Sequence, residues 1–426
     1  MKTLRLAVSC TLAWLVTGSA HARQEGPPRR VEVRVGVDEG DLRGADHRAL
    51  QAAIEQVASL GGGRVTIGPG RYLMRNALKL RSHVQISGTP GKTVLVACDG
   101  AQSLLACDGD CRERQISLAD PSGFQVGDGV AIRDERAGSG FEVTTATLVA
   151  RVDERTFRIS APLYLDYMVD QKASAAVAFP VVGGWNVQDV TVEGLTIEGN
   201  REKRSRLDGC RGGGIYLFES SHVTLRNCQV RNYHGDGISF QVSDDVAVEG
   251  CTVEGNSGLG LHPGSGSQRP VLRGNRSLGN GGDGIYVCWR VKHGIFEKNE
   301  TRDNRGSGIS IGHKDTDNVF RENTIVGNAK SGVFFRSEAE AMGAHRNVFE
   351  RNVILDNGAA GEGRSQGACV VLLDHHDGVV FRGNTIGNSQ PGGPIGIGIW
   401  IGKNIRDFGD DSNTFQNLET KVDRQK

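Results

Sequence analysis

A short pattern, glycine followed by alternating apolar residues, returns along the middle of this chain at an almost fixed interval. It stands at Gly214-Ile215-Tyr216-Leu217, Gly237-Ile238-Ser239-Phe240, Gly260-Leu261-His262-Pro263, Gly284-Ile285-Tyr286-Val287, Gly308-Ile309-Ser310-Ile311 and Gly332-Val333-Phe334-Phe335. Successive glycines are 23, 23, 24, 24 and 24 residues apart. A period of this size marks a solenoid, in which each repeat is one unit that buries its apolar side against its neighbours. A second column keeps the same register: Cys228, Cys251, Asn275, Asn299 and Asn323, continued by Asn352 and Asn384. A third runs through Asn256, Asn280, Asn304, Asn328, Asn357 and Asn388.

The repeat is too short for a strand and a helix with their connections, and no helical period shows inside it. Short strands bounded by Asn and Gly turns remain. Stacked coils of this kind make a parallel β-helix, each strand pairing with its copy one coil on. The predicted fold is therefore all-β, a parallel β-helix of about 24 residues per coil. Asn tolerates left-handed backbone at a bend, and its amide can bond the same Asn one coil away. Cys228 and Cys251, in the same column, read as small inward fillers. Alternation within the strands puts Ile238, Phe240, Leu261, Ile285, Val287, Ile309 and Ile311 inside. Tyr216, Ser239, His262, Tyr286, Ser310 and Phe334 between them are expected to face solvent as one outer stripe. Coils stack ~4.8 Å apart, close to the rise of a sugar in an extended chain, so the stripe suits a long repetitive ligand.

The flanking sequence adds boundaries. Lys2 and Arg5, an apolar run over residues 6–16 and Ala20-His21-Ala22 predict a secretory signal over residues 1–22, with Cys10 leaving a lipoprotein as the alternative. The expected location is secreted or periplasmic, and no later stretch is long and apolar enough to span a membrane. The 50 basic and 50 acidic residues cancel, and nothing resembles a nucleic-acid-binding signature. A monomer is expected. Residues 46–60 read as an amphipathic helix capped by Asp46, the lid that an open-ended solenoid needs. Residues 107–180 break the repeat and read as a small β insertion. Main coils are predicted over 186–417, with longer loops at 338–347 and 358–367 and a polar tail at 418–426. Cys98, Cys107 and Cys111 lie close together, and one disulfide among them is expected.

The helix is followed by Gly61-Gly62-Gly63, a strand, and Pro69-Gly70-Arg71-Tyr72. This order resembles the N-terminal opening of the pectate-lyase-like superfamily of right-handed parallel β-helices. Together with the repeats, the resemblance covers roughly residues 46–417. It implies action on a polysaccharide, most often an acidic one, in a groove on the outside of the helix. Lyases, C5-epimerases and polygalacturonases share the coil pattern, and some of the lyases use calcium. Repeats speak for fold more than for reaction.

The chemistry must be read from the central coils. His262 lies in the outer stripe. One coil on stand Tyr286, Trp289 and Arg290, and one further His313, Lys314, Asp315 and Asp317, followed by Arg336 and Glu338. Elimination or epimerisation at a uronate needs a cation on the carboxylate, a base for the proton on C5 and an acid for the leaving oxygen or the opposite face. Arg290 and Lys314 are candidates for the cation, His262 or His313 for the base and Tyr286 for the acid. Trp289 would stack a ring, with Asp315, Arg336 and Glu338 as further substrate-binding candidates. The epimerase relatives carry Asp-Pro-His on such a coil. Leu261-His262-Pro263-Gly264 keeps His and Pro in another order. A second reading is an inverting glycoside hydrolase on Asp236 and Asp283, which precede register glycines two coils apart, ~9–10 Å between backbones. Polygalacturonases place acids there, but Leu259 stands where their paired acid belongs, and both aspartates also fit turn caps. A third is a non-catalytic carbohydrate-binding or surface protein. Cys288 and Cys369 read as packing residues. His222, Asp245, Arg269, His293, Asp317 and Arg346 form one column that reads as an exposed ladder of turn residues. Asp374-His375-His376-Asp377 reads as an exposed turn, and Asp244-Asp245 as a poor calcium cage. No metal site is assigned.

Overall fold

The computed structural model describes residues 31–137, 140–358, 367–393 and 395–425. The secretory signal and Cys10 lie outside them, as does most of the loop expected at 358–367. Among the described residues, three long sheets of 13, 11 and 11 strands wrap one core. In each main coil every strand pairs in parallel with its equivalent in the next: Ile238–Gln241 with Leu261–Gly264, and Ile309–Ile311 with Val333–Phe335. The fold is thus a parallel β-helix, with the period as its coil. One 11-stranded sheet, the site sheet, runs from Leu78–Lys79 through the six glycine-led repeats. Its last strand is Thr420–Arg424, paired with Ile397–Ile401. The stretch expected to be a polar tail is therefore a strand, because it completes the edge of that sheet.

The helix His47–Ser59 sits over the first coils and buries Leu50, Ala53, Ile54 and Val57. Asp46 caps it, accepting from the Arg48 amide at 2.9 Å. One strand that periodicity did not reveal, Val31–Gly36, precedes the helix and pairs with Gly63–Ile67. The break in the repeat corresponds to an antiparallel six-stranded sheet running from Gln102–Leu104 to Ser174–Val177. Cys98 is buried while Cys107 and Cys111 are exposed, and all three are free thiols. The disulfide expected among them is absent.

Stacking explains the rest of the pattern. Asn280 Oδ1 accepts from both the backbone amide and the side-chain amide of Asn256, and Asn304, Asn328 and Asn357 repeat the bond in turn. A parallel ladder runs from Asn275 to Asn413. The left-handed position is not the ladder Asn, as expected, but the residue before it: Gly255, Gly279, Asp303, Gly327 and Asp356 have φ of 59°, 57°, 56°, 67° and 58°. Apart from the terminal Asn413, the ladder asparagines are buried, so their amides serve the interior. Phe296, Phe320, Phe349 and Phe381 stack inside at 4.5, 4.5 and 4.6 Å between ring centroids. Outside, the turn ladder is real. Arg269 and Asp245, and Arg346 and Asp317, pair across coils at 2.8 and 2.7 Å, and these residues are left-handed. Cys228 and Cys251 are buried free thiols, and Cys369 packs inside against the Ile354 carbonyl.

Candidate functional site

Strand register sets one column of side chains on the outer face of the site sheet: Gly183, Tyr216, Ser239 and His262, then Tyr286, Ser310, Phe334, Val371 and Trp400. They alternate outward as expected, yet most are not in solvent. Tyr216, Ser239, His262 and Ser310 are buried. Two segments roof them. The first spans residues 208–213: the Gly209 carbonyl accepts from Ser239 Oγ at 2.6 Å, and the Cys210 carbonyl from the Tyr216 hydroxyl at 2.7 Å. The second is Arg336, which donates to Ser310 Oγ at 2.9 Å and to the Val287 carbonyl at 2.8 Å. Between the two roofs Tyr286 and Cys288 are only half-buried.

At the edge of the first roof lies a buried ion pair. His262 Nδ1 is 2.8 Å from Asp236 Oδ2. The other Asp236 oxygen accepts from the Leu259 amide at 2.9 Å. Burial by itself would push the imidazole's pKa down, but the hydrogen bond and charge of Asp236, with the Cys288 thiol beside it, win and raise it to about 10. His262 is therefore an imidazolium at neutral pH. Gly209 must be glycine here. A Cβ on it would come within 1.8 Å of Asp236 Oδ2 and 2.7 Å of His262 Nδ1. Gln241 Nε2 donates to Ser239 Oγ at 3.0 Å and lies 3.5 Å from His262 Nε2. Its Oε1 is buried without a donor.

Tyr286 meets the His262 ring edge to face, with centroids 5.4 Å apart, and carries the Arg336 guanidinium 4.4 Å above its own ring. Burial pushes its hydroxyl pKa up against the pull of Arg336. Arg336 is itself held. Asp315 Oδ2 lies 3.3 Å away, and its carbonyl accepts from His376 Nε2 at 2.7 Å. His376 is buried and takes the Ala344 amide on Nδ1. The turn expected to be exposed at 374–377 is thus a fastener, because His376 turns inward. Asp315, expected to touch substrate, is fully buried under the arginine and accepts from the Val291 and Gly312 amides at 2.9 and 3.0 Å. Burial raises its pKa to about 7 despite Arg336 and those amides.

Trp289 is 44% exposed and stacks on His313 at 4.5 Å. His313 Nδ1 is 3.3 Å from Glu338, which also accepts from the His313 amide at 2.7 Å. Arg290 is exposed at the same rim and Lys314 half-buried. Trp289, Arg290, His313 and Lys314 all have positive φ, 66°, 67°, 31° and 65°, so the rim is built from left-handed corners. The two aspartates of the hydrolase reading do the same structural job. Asp236 caps Leu259 and Asp283 caps the Ser307 amide, each one coil on. Burial pushes the Asp283 carboxyl up against that amide.

The structure therefore brings together His262, Tyr286, Arg336 and Asp236, and beside them Trp289, His313 and Glu338. Asp315 and Asp283 sit beneath or behind. Gly209, Gln241, Cys288 and His376 are what sequence reasoning missed. Cys288, read as packing, faces outward beside His262 and Tyr286, two residues along the same strand path. That alternation could have found it. Nothing in the sequence marked Gly209 as a roof.

Calcium does not fit the acidic turn at 244–245. Arg269 takes both Asp245 oxygens, at 2.8 Å each, and approaches Asp244 at 3.4 Å. The Gln268 amide takes another Asp244 oxygen at 3.2 Å. No group of three or more metal-binding side chains occurs among the described residues. No described helix is long and apolar enough to cross a membrane.

Coils and long parallel sheets around one core give this molecule the right-handed parallel β-helix fold. A sequence model of the "Right handed beta helix region" matches residues 181–342. The chain is similar in fold to the A-module of Azotobacter vinelandii mannuronan C-5 epimerase AlgE4, at 16% identity and TM-score 0.52, over 91% of this chain and 100% of that one. It is also similar to the N-terminal fragment of bacteriophage Phi29 gene product 12, at 14% identity and TM-score 0.55, over 88% of this chain and 56% of that one. Geobacillus virus E2 ORF18 matches at 12% identity and TM-score 0.52, over 92% and 62%. No curated protein sequence matches.

Proposed function

We propose that this protein is an exported, monomeric enzyme that acts on a polysaccharide by acid–base chemistry at C5 of a uronate residue, by elimination or epimerisation. The observation that carries the reading is the placement of two cations, the His262 imidazolium and the Arg336 guanidinium, on either side of the half-buried Tyr286 phenol. Loss of the C5 proton sends negative charge onto the sugar carboxylate, and fixed positive charge in a partly dry site lowers that barrier. Tyr286 keeps its proton at neutral pH and is suited to give it up to the leaving oxygen or to the opposite face of C5. His262, already protonated, is no base. That duty falls to His313, whose Nδ1 lies 3.3 Å from Glu338. Trp289 offers the sugar a face beside it, and Arg290 and Lys314 add positive charge at the rim. The epimerase A-module, named for mannuronan, has the same coil architecture.

The hydrolase reading is weaker. Both its carboxylates are occupied by backbone amides, and Asp236 by His262 as well. The test is turnover across pectate, alginate, glycosaminoglycans and neutral glycans, read by unsaturated-uronate absorbance, reducing ends and C5 proton exchange. Absorbance or C5 exchange that His262→Gln and Arg336→Ala abolish supports the reading. Reducing ends without absorbance, lost in Asp283→Asn, would establish hydrolysis instead. Binding with no turnover of any kind would leave a carbohydrate-binding protein.

A further inference from the structure

A cleft of about 340 Å³ opens where the antiparallel insertion leans on the first coils of the site sheet. Its lining includes Asn76, Lys79, Arg81, Thr147, Ser160 and Trp185, with an apolar back of Ala178, Phe179 and Pro180, and no carboxylate. The volume falls in the range of sites that hold small ligands, ~300–1,000 Å³.

Two features make it more than a gap between layers. Lys79 is half-buried, and its ammonium has one hydrogen bond, to Thr147 Oγ1 at 3.2 Å. No carboxylate lies within ion-pair distance of it among the described residues. The acid that acts on it, Glu55, is taken by Arg81 at 2.6 Å. A half-buried cation with no counter-charge is costly and calls for an anion. The second feature is Trp185. Its indole reaches over Gly183, where a Cβ would meet the ring edge at 2.3 Å, and it stays 37% exposed. Glycine at 183 thus makes room for an aromatic platform, and the platform borders the lysine because Gly183 pairs with Lys79.

We infer that the Lys79–Trp185 cleft is a second saccharide subsite, which takes an anionic pyranose with its apolar face on the indole and its carboxylate on the Lys79 ammonium. It rests on the reading of the protein as one that acts on a uronate chain. Aromatic faces supply apolar area with defined geometry, and an ammonium–carboxylate hydrogen bond is about twice as strong as a neutral one. The subsite and the catalytic residues share one face of one sheet. Lys79, Gly183, Tyr216, Ser239 and His262 are successive members of a column, so four strand spacings, ~19 Å, separate the ends. That is about the span of four sugars in an extended chain, which would pass over the 208–213 roof between the two sites. The insertion thereby gives the enzyme a grip on the chain several residues away from the reacting unit.

The experiment is calorimetric titration of the full chain with hexamers of mannuronate and of galacturonate and with a neutral cello-hexamer. The variants are Lys79→Met, Trp185→Ala and His262→Gln, each checked for its melting temperature. At least one uronate hexamer should bind, at least tenfold tighter than the neutral one. Lys79→Met and Trp185→Ala should each weaken it by at least tenfold. If Lys79→Met melts early, Trp185→Ala carries the same expectation. Failure of every uronate hexamer to bind, equal affinity for the neutral hexamer, or affinity unchanged in both cleft variants would overturn the inference. His262-dependent turnover with unchanged affinity in the cleft variants would remove the subsite and leave the catalytic reading. Lys79-dependent binding without turnover would do the reverse.

Discussion

The Asp236–His262 pair sets what the site can do at a given pH. An ordinary histidine titrates at 6.5, whereas folded His262 holds its proton to about 10. Its contribution to stability is therefore full below pH 6.5 and is lost as pH climbs toward 10. Denaturant titrations at several pH values should show wild-type stability falling across that window. His262→Gln should remove up to ~1.4 kcal/mol per pH unit of that fall. If the two slopes coincide, the imidazolium assignment is wrong. Tyr286→Phe keeps the ring and the Arg336 stack but lacks the acidic proton, and turnover should drop by ~10²–10⁴-fold with little change in melting. Gly209→Ala should also silence the site. The added methyl has no room above Asp236 and His262, and overpacking of this kind costs ~1–3 kcal/mol. A crystal structure of that variant with the pair intact would contradict this account.

Among the elements, the asparagine ladders carry most of the buried polar satisfaction. Replacing Asn304 by Ala removes the acceptor for two Asn280 donors and the donor to Asn328 and to the Ser277 carbonyl. Each orphaned buried group costs ~1–3 kcal/mol, so the midpoint of denaturation should fall far more than for Asn413→Ala at the outer end. Equal losses would mean that the rungs are replaceable by water. These columns were legible because they repeat in register with the glycines, and period is the strongest signal a sequence offers for structure at this level. The insertion was legible only as an interruption. Its strand partners lie up to 74 residues apart, Gln102 with Ala176 for example, and pair by no local rule. The site divided in the same way. His262, Tyr286 and Arg336 stood out because side-chain chemistry and register coincided. The burial of Asp315 and His376 did not, because it depends on loops after the coil that fold back.

At the scale of the molecule, the exposed turn ladder should matter little. Arg269→Ala breaks surface pairs with Asp244 and Asp245, half-exposed groups whose attraction water and salt screen, so the denaturation midpoint should stay close to that of the wild type. What the ladders inside contribute is different in kind. Along the bonded rungs the amides face the same way, oxygen toward the preceding coil and NH₂ toward the next. Two rows of such dipoles, aligned along the axis, polarise one another. The solenoid is in this respect electrically directional. Its helix-capped end receives the oxygen side of each row and its far end the NH₂ side, so a reversed or displaced coil would break the alignment of every dipole beyond it.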